Sequence, residues 1–179
     1  MIHGLIAAIF RYFRGLLAEW RLSMKLTTKG RYGLRAVVDL AVNTDDEAIA
    51  LSQIAERQGI SMNYLEQLVA RLKKSGIVNG IRGAQGGYVL AMPPEEISVG
   101  DILRALEGDL SPVDCYEINS TDTPCGNSDI CVTKYVWKRI SDSINDAVDG
   151  IMLSDLVAES KKVQADAGKA QVNQSKLNC

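Results

Sequence analysis

The stretch from Leu51 to Met92 constrains the fold of this chain more than any other. Ser52 is typical of a helix N-cap, Gly59 of a helix C-terminus, and Ser61 of the N-cap of a second helix. The second helix has apolar residues at steps of three and four, namely Leu65, Leu68, Val69 and Leu72. Because this spacing places one apolar stripe toward the protein, the pattern predicts two helices joined by a tight turn.

A glycine-rich hairpin is predicted after the second helix. Gly76 ends the helix, Ile77 and Val78 begin an extended segment, and Tyr88 to Leu90 return after a turn rich in glycine. Two helices, a tight turn and a basic hairpin form a winged helix-turn-helix, which is typical of DNA-binding proteins. The predicted fold class is therefore mainly α with a small β-wing.

Charge is unevenly distributed along the chain. The net charge of the whole chain is −2. Residues 24–92 contain nine Lys and Arg against six Asp and Glu, whereas residues 93–160 contain four Lys and Arg against fourteen Asp and Glu. The first segment therefore carries +3 and the second −10. A basic half that contacts phosphate and an acidic half that faces elsewhere would explain this asymmetry. A solvated surface of uneven sign is the alternative.

Residues 24–108 are predicted to form the winged helix-turn-helix domain. A first helix over residues 27–43 has four cations and no anion near its start: Lys25, Lys29, Arg31 and Arg35. Because cations oppose the dipole at a helix N-terminus, they favour a bound phosphate there, with plain surface charge as the alternative. Ser98 and Asp101 predict a capping box for a further helix, which ends at Gly108.

Residues 1–23 form an amphipathic extension with apolar residues at helical spacing. Its longest uncharged run, from Ile2 to Phe10, is far shorter than the roughly 20 residues that a membrane span needs. It also lacks the basic N-terminal region and the small-residue cleavage site of a secretion signal in their expected order. Because Met24 opens a self-sufficient domain, we expect an inert extension or a mis-assigned start, with an interfacial or packing helix as the alternative. No membrane partner is expected.

A long helix is predicted from about Ser128, and residues 131–160 form the predicted dimerisation segment. Its apolar residues recur at helical steps: Val132, Val136, Trp137, Ile140, Ile144, Ala147, Val148 and Ile151. A lone helix would not expose such a face, so we predict a homodimer, with packing inside one subunit as the alternative. A short helix capped by Ser154 follows, and residues 161–179 are predicted to be a disordered tail.

Three of the four cysteines lie in or next to a polar loop predicted over residues 109–130: Cys115, Cys125 and Cys131. The paired Cys-x2-Cys or histidine spacing of a zinc site is missing, and the only histidine is His3. A reducing cytoplasm is expected, because three cysteines so close in sequence cannot form a disulfide framework for the whole fold. An iron–sulfur cluster and free redox thiols both remain open.

Several segments together resemble the Rrf-type winged-helix transcription regulators, which include IscR, NsrR and CymR. These segments are MKLTTKGRYGLRAVVDLA, ISMNYLEQLVARLKKSGIV, IRGAQGGYVLA and ISVGDILRALEG, followed by cysteines ahead of a Trp-bearing helix. The resemblance covers residues 24–159. It implies a cytoplasmic, homodimeric bacterial repressor or activator that binds a palindromic operator in double-stranded DNA. No catalytic motif supports an enzyme.

The resemblance assigns base contacts to the start of the recognition helix and a minor-groove contact to Arg82 in the wing. The recognition-helix residues are Ser61, Asn63, Glu66 and Gln67. The residue types agree, because Asn and Gln pair with adenine, Glu accepts from cytosine, and Arg suits a narrow minor groove. Phosphate contacts are expected from Lys25, Lys29, Arg31, Arg71 and Lys73.

The same resemblance implies that Cys115, Cys125 and Cys131 hold an iron–sulfur cluster, of the 2Fe–2S type. Lys134 stands where the family has a histidine ligand, and Arg31 where some relatives have an acidic one. The fourth ligand is therefore unknown, and the candidates are an exogenous thiol, a backbone atom or a local carboxylate: Asp114, Glu117, Asp122 or Asp129. The expected function is sensing of iron–sulfur status, redox or nitric oxide. The alternative is a cluster-free, CymR-like regulator that acts through a protein partner or thiol oxidation.

Overall fold

The computed structural model describes most of the chain. The described residues are 27–44, 47–83, 86–113 and 131–177, with side chains as far as residue 166. They belong to two compact units, one of residues 26–110 and 142–179 and one of residues 1–25 and 111–141. Predicted features outside the described residues are the extension 1–23, Lys25, the loop from 114 to 130 with Cys115 and Cys125, and residues 178–179.

Four helices of the larger unit lie close to their predicted positions: α1 Thr28–Asn43, α2 Leu51–Gln58, α3 Met62–Lys74 and α4 Val99–Glu107. Helix α1 packs against α2, α3 and α4. The core that they share contains apolar residues that are each 3% exposed or less: Val37, Leu40, Ile54, Leu65, Leu68 and Leu72. Their burial confirms the helical periodicity of the sequence.

A tight turn joins α2 to α3. Gly59 has φ 63° and ψ 38°, the left-handed conformation that glycine adopts without strain. Helix α2 begins at Leu51 with Ala50 as its N-cap, so the N-cap role predicted for Ser52 is wrong. Leu51 is 8% exposed, and the start of α2 therefore follows the burial of this side chain rather than side-chain capping.

The wing is an antiparallel hairpin of β1, Val78–Ile81, and β2, Gly87–Leu90, which confirms the small β-wing. Ile49 forms an additional antiparallel bridge to Tyr88. The Ile49 N–H donates to the Tyr88 carbonyl at 2.9 Å, and the Tyr88 N–H donates to the Ile49 carbonyl at 2.8 Å. Strand β2 is thereby hydrogen-bonded to the chain just before α2.

Helix α4 begins at the predicted capping box. The Ser98 hydroxyl accepts from the Asp101 N–H at 3.0 Å, and the Asp101 carboxylate accepts from the Ser98 N–H at 3.0 Å. Gly108, at φ 90°, follows the last residue of the helix, as predicted. Ile102 and Leu106 are fully buried, so the cap fixes a helix that contributes directly to the core.

Two further α-helices lie in the C-terminal part of the chain: α5 Thr133–Asp149 and α6 Leu153–Leu177. Helix α6 begins at Leu153, so Ser154 lies inside the helix and is not its cap as predicted. The helix reaches Leu177, so the prediction of a disordered tail is wrong for residues 161–177. This segment is rich in Ala, Lys and Gln, which are strong helix formers. Leu153 is fully buried in the main core. None of the described helices is both long and apolar enough to cross a membrane.

The carboxylate of Glu107, at the end of α4, holds the start of α1. It accepts hydrogen bonds from the Thr27 N–H at 3.1 Å, the Gly30 N–H at 2.8 Å and the Thr27 hydroxyl, and it lies 3.4 Å from Lys29 Nζ. Burial alone would raise the pKa of Glu107, but the hydrogen bonds from Thr27 and Gly30 and the charge of Lys29 lower it overall. The anion at the N-terminus of α1 is therefore supplied by the protein itself.

Replacing Glu107 should destabilise the protein in a pH-dependent way. Glu107→Gln is expected to lower the free energy of unfolding by about 1–2 kcal/mol at pH 7, because charge-assisted hydrogen bonds are lost. A folded-state pKa below the ordinary value gives stability that is complete above about pH 4.3 and is lost as the pH falls through the folded-state pKa. The difference between wild type and variant should therefore shrink toward pH 3 in urea unfolding followed by circular dichroism.

The matched control is Glu95→Gln, which removes the same charge from an exposed position. Its unfolding free energy should stay within about 0.5 kcal/mol of wild type. Equal stability of Glu107→Gln and wild type at pH 7, or a difference that persists unchanged to pH 3, would contradict the role of Glu107.

Candidate nucleic-acid interface

Helix α3 has a buried apolar row and an exposed polar row. The buried residues are Leu65, Leu68, Val69 and Leu72. Three of the predicted base-contacting residues, Asn63, Glu66 and Gln67, are exposed, as is Ser61 directly before the helix. Because side chains three and four positions apart share one helix face, Asn63, Glu66 and Gln67 point away from the core together. The structure therefore brings the predicted recognition residues onto one surface.

The start of α3 leaves polar groups available. Ser61 is the N-cap residue, as predicted, but its side chain makes no capping hydrogen bond. Its backbone carbonyl instead accepts from the Tyr64 N–H at 3.1 Å and the Leu65 N–H at 3.0 Å. The first turn contains no acidic residue, whereas the last turn has three cations, which suits the helix dipole there. The beginning of α3 is therefore electrostatically suited to an anionic partner.

Predicted contacts also lie at the other end of α3 and in the wing. Arg71, Lys73 and Arg82 are all exposed. Lys73 extends toward β1, since a Cβ added at Gly80 would lie 3.3 Å from Lys73 Nζ. Arg71 Nη1 lies 3.5 Å from the Leu106 carbonyl, at the edge of hydrogen-bonding distance. The cations thus flank the polar row of α3 on its C-terminal side and along the hairpin.

The cations of α1 fall into two groups. Lys29 is half-buried and ion-paired with Glu107. An ammonium group has three N–H donors, so this ion pair does not use them all, but it restrains the position of the Lys29 side chain. Arg31 and Arg35 are exposed and lie over the Tyr32 ring, at 5.6 and 5.4 Å from its centroid. The assignment of Lys29 to a phosphate contact remains a prediction, with Glu107 as a competitor for its charge.

A buried carboxylate supports the turn before α3. Asp39 is 6% exposed and accepts from Arg57 Nη2 at 2.6 Å and from Gln58 Nε2 at 2.7 Å. The hydrogen bond to Asp39 raises the pKa of the Arg57 guanidinium. Neither this network nor Glu107 was found from the sequence, because polar contacts between distant residues leave no periodic pattern. Asp39 and Glu107 each occur within a helix whose apolar residues dominated the interpretation.

Cys131 is the one predicted cysteine ligand among the described residues. It lies two residues before α5, and its Sγ is 3.1 Å from the Thr133 hydroxyl. A hydrogen bond from Thr133, together with backbone N–H groups of Lys134 and Thr133, lowers the pKa of its thiol. Lys134 Nζ lies 5.5 Å from the centroid of the Tyr135 ring. The described residues contain no group of three or more His, Cys, Asp or Glu placed to hold a metal ion.

Comparisons with known proteins give one consistent result. The family model Rrf2, described as "Iron-dependent Transcriptional regulator", matches residues 26–159. The HTH-type transcriptional regulator IscR of Aliivibrio salmonicida is 38% identical over 141 residues, which cover 79% of this chain and 82% of that protein. The solved structure of T. potens IscR is 44% identical with a TM-score of 0.62, and the match covers 78% of this chain and 90% of that one. CymR, the global cysteine regulator of B. subtilis, is 38% identical with a TM-score of 0.61, covering 75% and 97%.

Proposed function

Because this chain belongs to the Rrf2 family of transcriptional regulators, we propose that it reads a specific operator with the surface formed by α3 and the wing. Its relatives are DNA-binding regulators rather than enzymes, and the chain is accordingly a transcriptional regulator and not an enzyme. The observation that carries the proposal is the exposed polar row of Asn63, Glu66 and Gln67, which stands on a helix whose opposite face is buried.

Each part of this surface has a distinct role. Asn63 and Gln67 can pair with adenine in the major groove, and Glu66 can accept from cytosine N4. Arg82, exposed directly after β1, suits a narrow minor groove. Lys29, Arg31, Arg71 and Lys73, together with Lys25 outside the described residues, would contact phosphates and set the salt dependence. Two such surfaces in a symmetric dimer would read a palindromic operator.

Substitutions on the polar row and the wing test this reading. Gln67→Ala and Arg82→Ala should each weaken binding to the operator by about 1–3 kcal/mol, because one directional contact is lost. Affinity is measured by fluorescence anisotropy on a duplex that the wild-type chain selects from a random pool. Gln53→Ala, an exposed glutamine on α2, is the control and should bind like wild type. Wild-type affinity in both test variants would refute the assigned contacts.

The dimer is proposed to form through the N-terminal part of α5. Val132, Tyr135 and Val136 are 77%, 61% and 56% exposed. Further along the same helix, Ile144 and Val148 pack within their own subunit against a buried apolar cluster. This cluster consists of Val99, Leu103 and Leu110. This part of the predicted apolar face is therefore not free to contact a second subunit. The exposed side chains of Val132, Tyr135 and Val136 form an apolar surface that a second subunit would cover.

Oligomeric state tests the proposed interface. Tyr135→Glu should convert the dimer to a monomer in sedimentation equilibrium, because a charge would be buried unpaired between subunits. Ile81→Glu places the same charge on an exposed apolar residue of the wing and should leave the dimer intact. A dimer that survives Tyr135→Glu, or a wild-type monomer at tens of micromolar, would exclude this interface.

The signal is proposed to be the state of an iron–sulfur cluster held by Cys115, Cys125 and Cys131. Cys131 fits a ligand role, since the lowered pKa of its thiol favours the thiolate that binds iron. Lys134 does not fit as the fourth ligand, because an ammonium group has no lone pair to donate. A bound 2Fe–2S cluster would supply sensitivity to iron supply, oxygen or nitric oxide. An incompletely protein-ligated cluster would be labile, which suits a sensor.

A second candidate is a cluster-free sensor that responds through thiol oxidation or a protein partner. Two observations favour it: the lowered pKa of Cys131, which also activates a thiol toward oxidants, and the lysine at position 134. The likeness to CymR of B. subtilis is compatible with this candidate. Both candidates share the DNA-binding surface and differ in how the signal is received.

Iron and sulfide analysis separates the two candidates. Chain purified without oxygen should contain about two iron and two sulfide per subunit and absorb visible light, and Cys115→Ser should lose these and change its DNA affinity. Cys179→Ser is the control and should match wild type. Protein without iron, sulfide or visible absorbance, with Cys115→Ser binding DNA like wild type, would exclude the cluster. Peroxide-dependent DNA binding, reversed by a thiol reductant, would then support the second candidate.

A further inference from the structure

We propose that Arg35, on α1, is a further DNA contact that holds a backbone phosphate beside the N-terminal end of α3. The proposal rests on the DNA-binding surface described above and adds a residue to it. Arg35 is exposed, and its Nε donates to Gln58 Oε1 at 3.0 Å while its Nη2 donates to the Gln58 carbonyl at 2.9 Å. Its guanidinium also lies 5.4 Å from the centroid of Tyr32. The side chain is thus held on two sides.

The held guanidinium has donors that no described residue engages. An arginine has five N–H donors in a planar fork, and Gln58 accepts from two of them. Among the residues that the structure describes, Arg35 pairs with no carboxylate. The nearby Arg57 differs, because Asp39 engages it through both Nε and Nη2. The three donors that remain within the described part of the chain lie in a fixed fork, which matches the oxygens of a phosphate.

The orientation of this fork is set by a buried group. The Gln58 amide nitrogen donates to Asp39 Oδ2 at 2.7 Å, so its amide oxygen faces the other way, toward Arg35. Asp39 is 6% exposed and cannot readily be solvated in another arrangement. Part of the entropy cost of ordering Arg35 is therefore met before DNA arrives, which favours binding.

The position of Arg35 relates it to the recognition helix. Tyr32 meets Tyr64 edge to face, with ring centroids 6.2 Å apart, and Tyr64 follows Asn63 in the first turn of α3. Gln58 is the last residue of α2, directly before the turn at Gly59. When the start of α3 enters the major groove, the phosphates that border the groove lie beside it. Arg31 and Arg35, one helical turn apart, repel each other, and a phosphate would offset that cost.

The salt dependence of DNA binding tests the proposal. Arg35→Gln should weaken binding about tenfold and reduce the slope of log affinity against log salt by about 1 per subunit, without changing sequence preference. The probes are the selected operator duplex and an unrelated duplex of the same length. Gln58→Ala keeps the charge of Arg35 but removes its side-chain support, so affinity should fall at an unchanged slope. Lys162→Gln, an exposed cation on α6, is the control and should leave affinity and slope unchanged.

A purely structural role for Arg35 would give a different result. If Arg35→Gln binds less tightly at the wild-type salt slope, or binds as tightly as wild type, the phosphate contact is refuted. If this variant fails to fold by circular dichroism, Arg35→Lys replaces it. Lysine keeps the charge but not the fork, so equal affinity of Arg35→Lys and wild type would overturn the proposal. Failure of the base-reading surface is recognised separately, as wild-type operator affinity in both Gln67→Ala and Arg82→Ala.

Discussion

The burial of the inner row of α3 is the constraint on which the rest of the structure depends. Leu65, Leu68 and Leu72 are 0%, 1% and 1% exposed. Each buried leucine contributes about 1.5–3 kcal/mol, whereas a polar surface contact contributes about 1 kcal/mol. Apolar packing therefore fixes the direction in which α3 faces, and the outer side chains are free to differ among relatives without changing it. Structure and specificity are encoded on opposite sides of one helix.

Charge is divided in a similar way between structural and binding roles. Glu107 neutralises the start of α1, and Asp39 engages Arg57, so both carboxylates stabilise contacts between helices. The cations not used in this way, including Arg31 and Arg35, lie exposed around Tyr32. A basic cluster can persist at a helix N-terminus because the protein's own carboxylate supplies the compensating charge. The cations that pair with no carboxylate among the described residues are available to an external anion.

Much of the fold could be predicted from the sequence, because helices and hairpins have local signatures. The periodicity of α3, the capping box of Ser98 and Asp101, and the left-handed Gly59 all act within a few residues. The contact between Thr27 and Glu107 joins residues 80 positions apart and has no such signature. The extent of α6 was missed because its polar composition was interpreted as disorder although its residues favour helix. The exposed row of α3 follows from periodicity, but the support of Arg35 by Gln58 does not.

The complete burial of Leu153 has a consequence for how this protein can be divided. Its backbone N–H donates to the Ile97 carbonyl at 2.8 Å, and its side chain belongs to the same core as Ile54 and Leu68. A fragment that ends at Gly108 would therefore lose a core residue and expose the surface beneath it. Residues 26–110 and 142–179 form one compact unit, so a fragment cut after Gly108 would lack part of the unit that contains α3 and the wing.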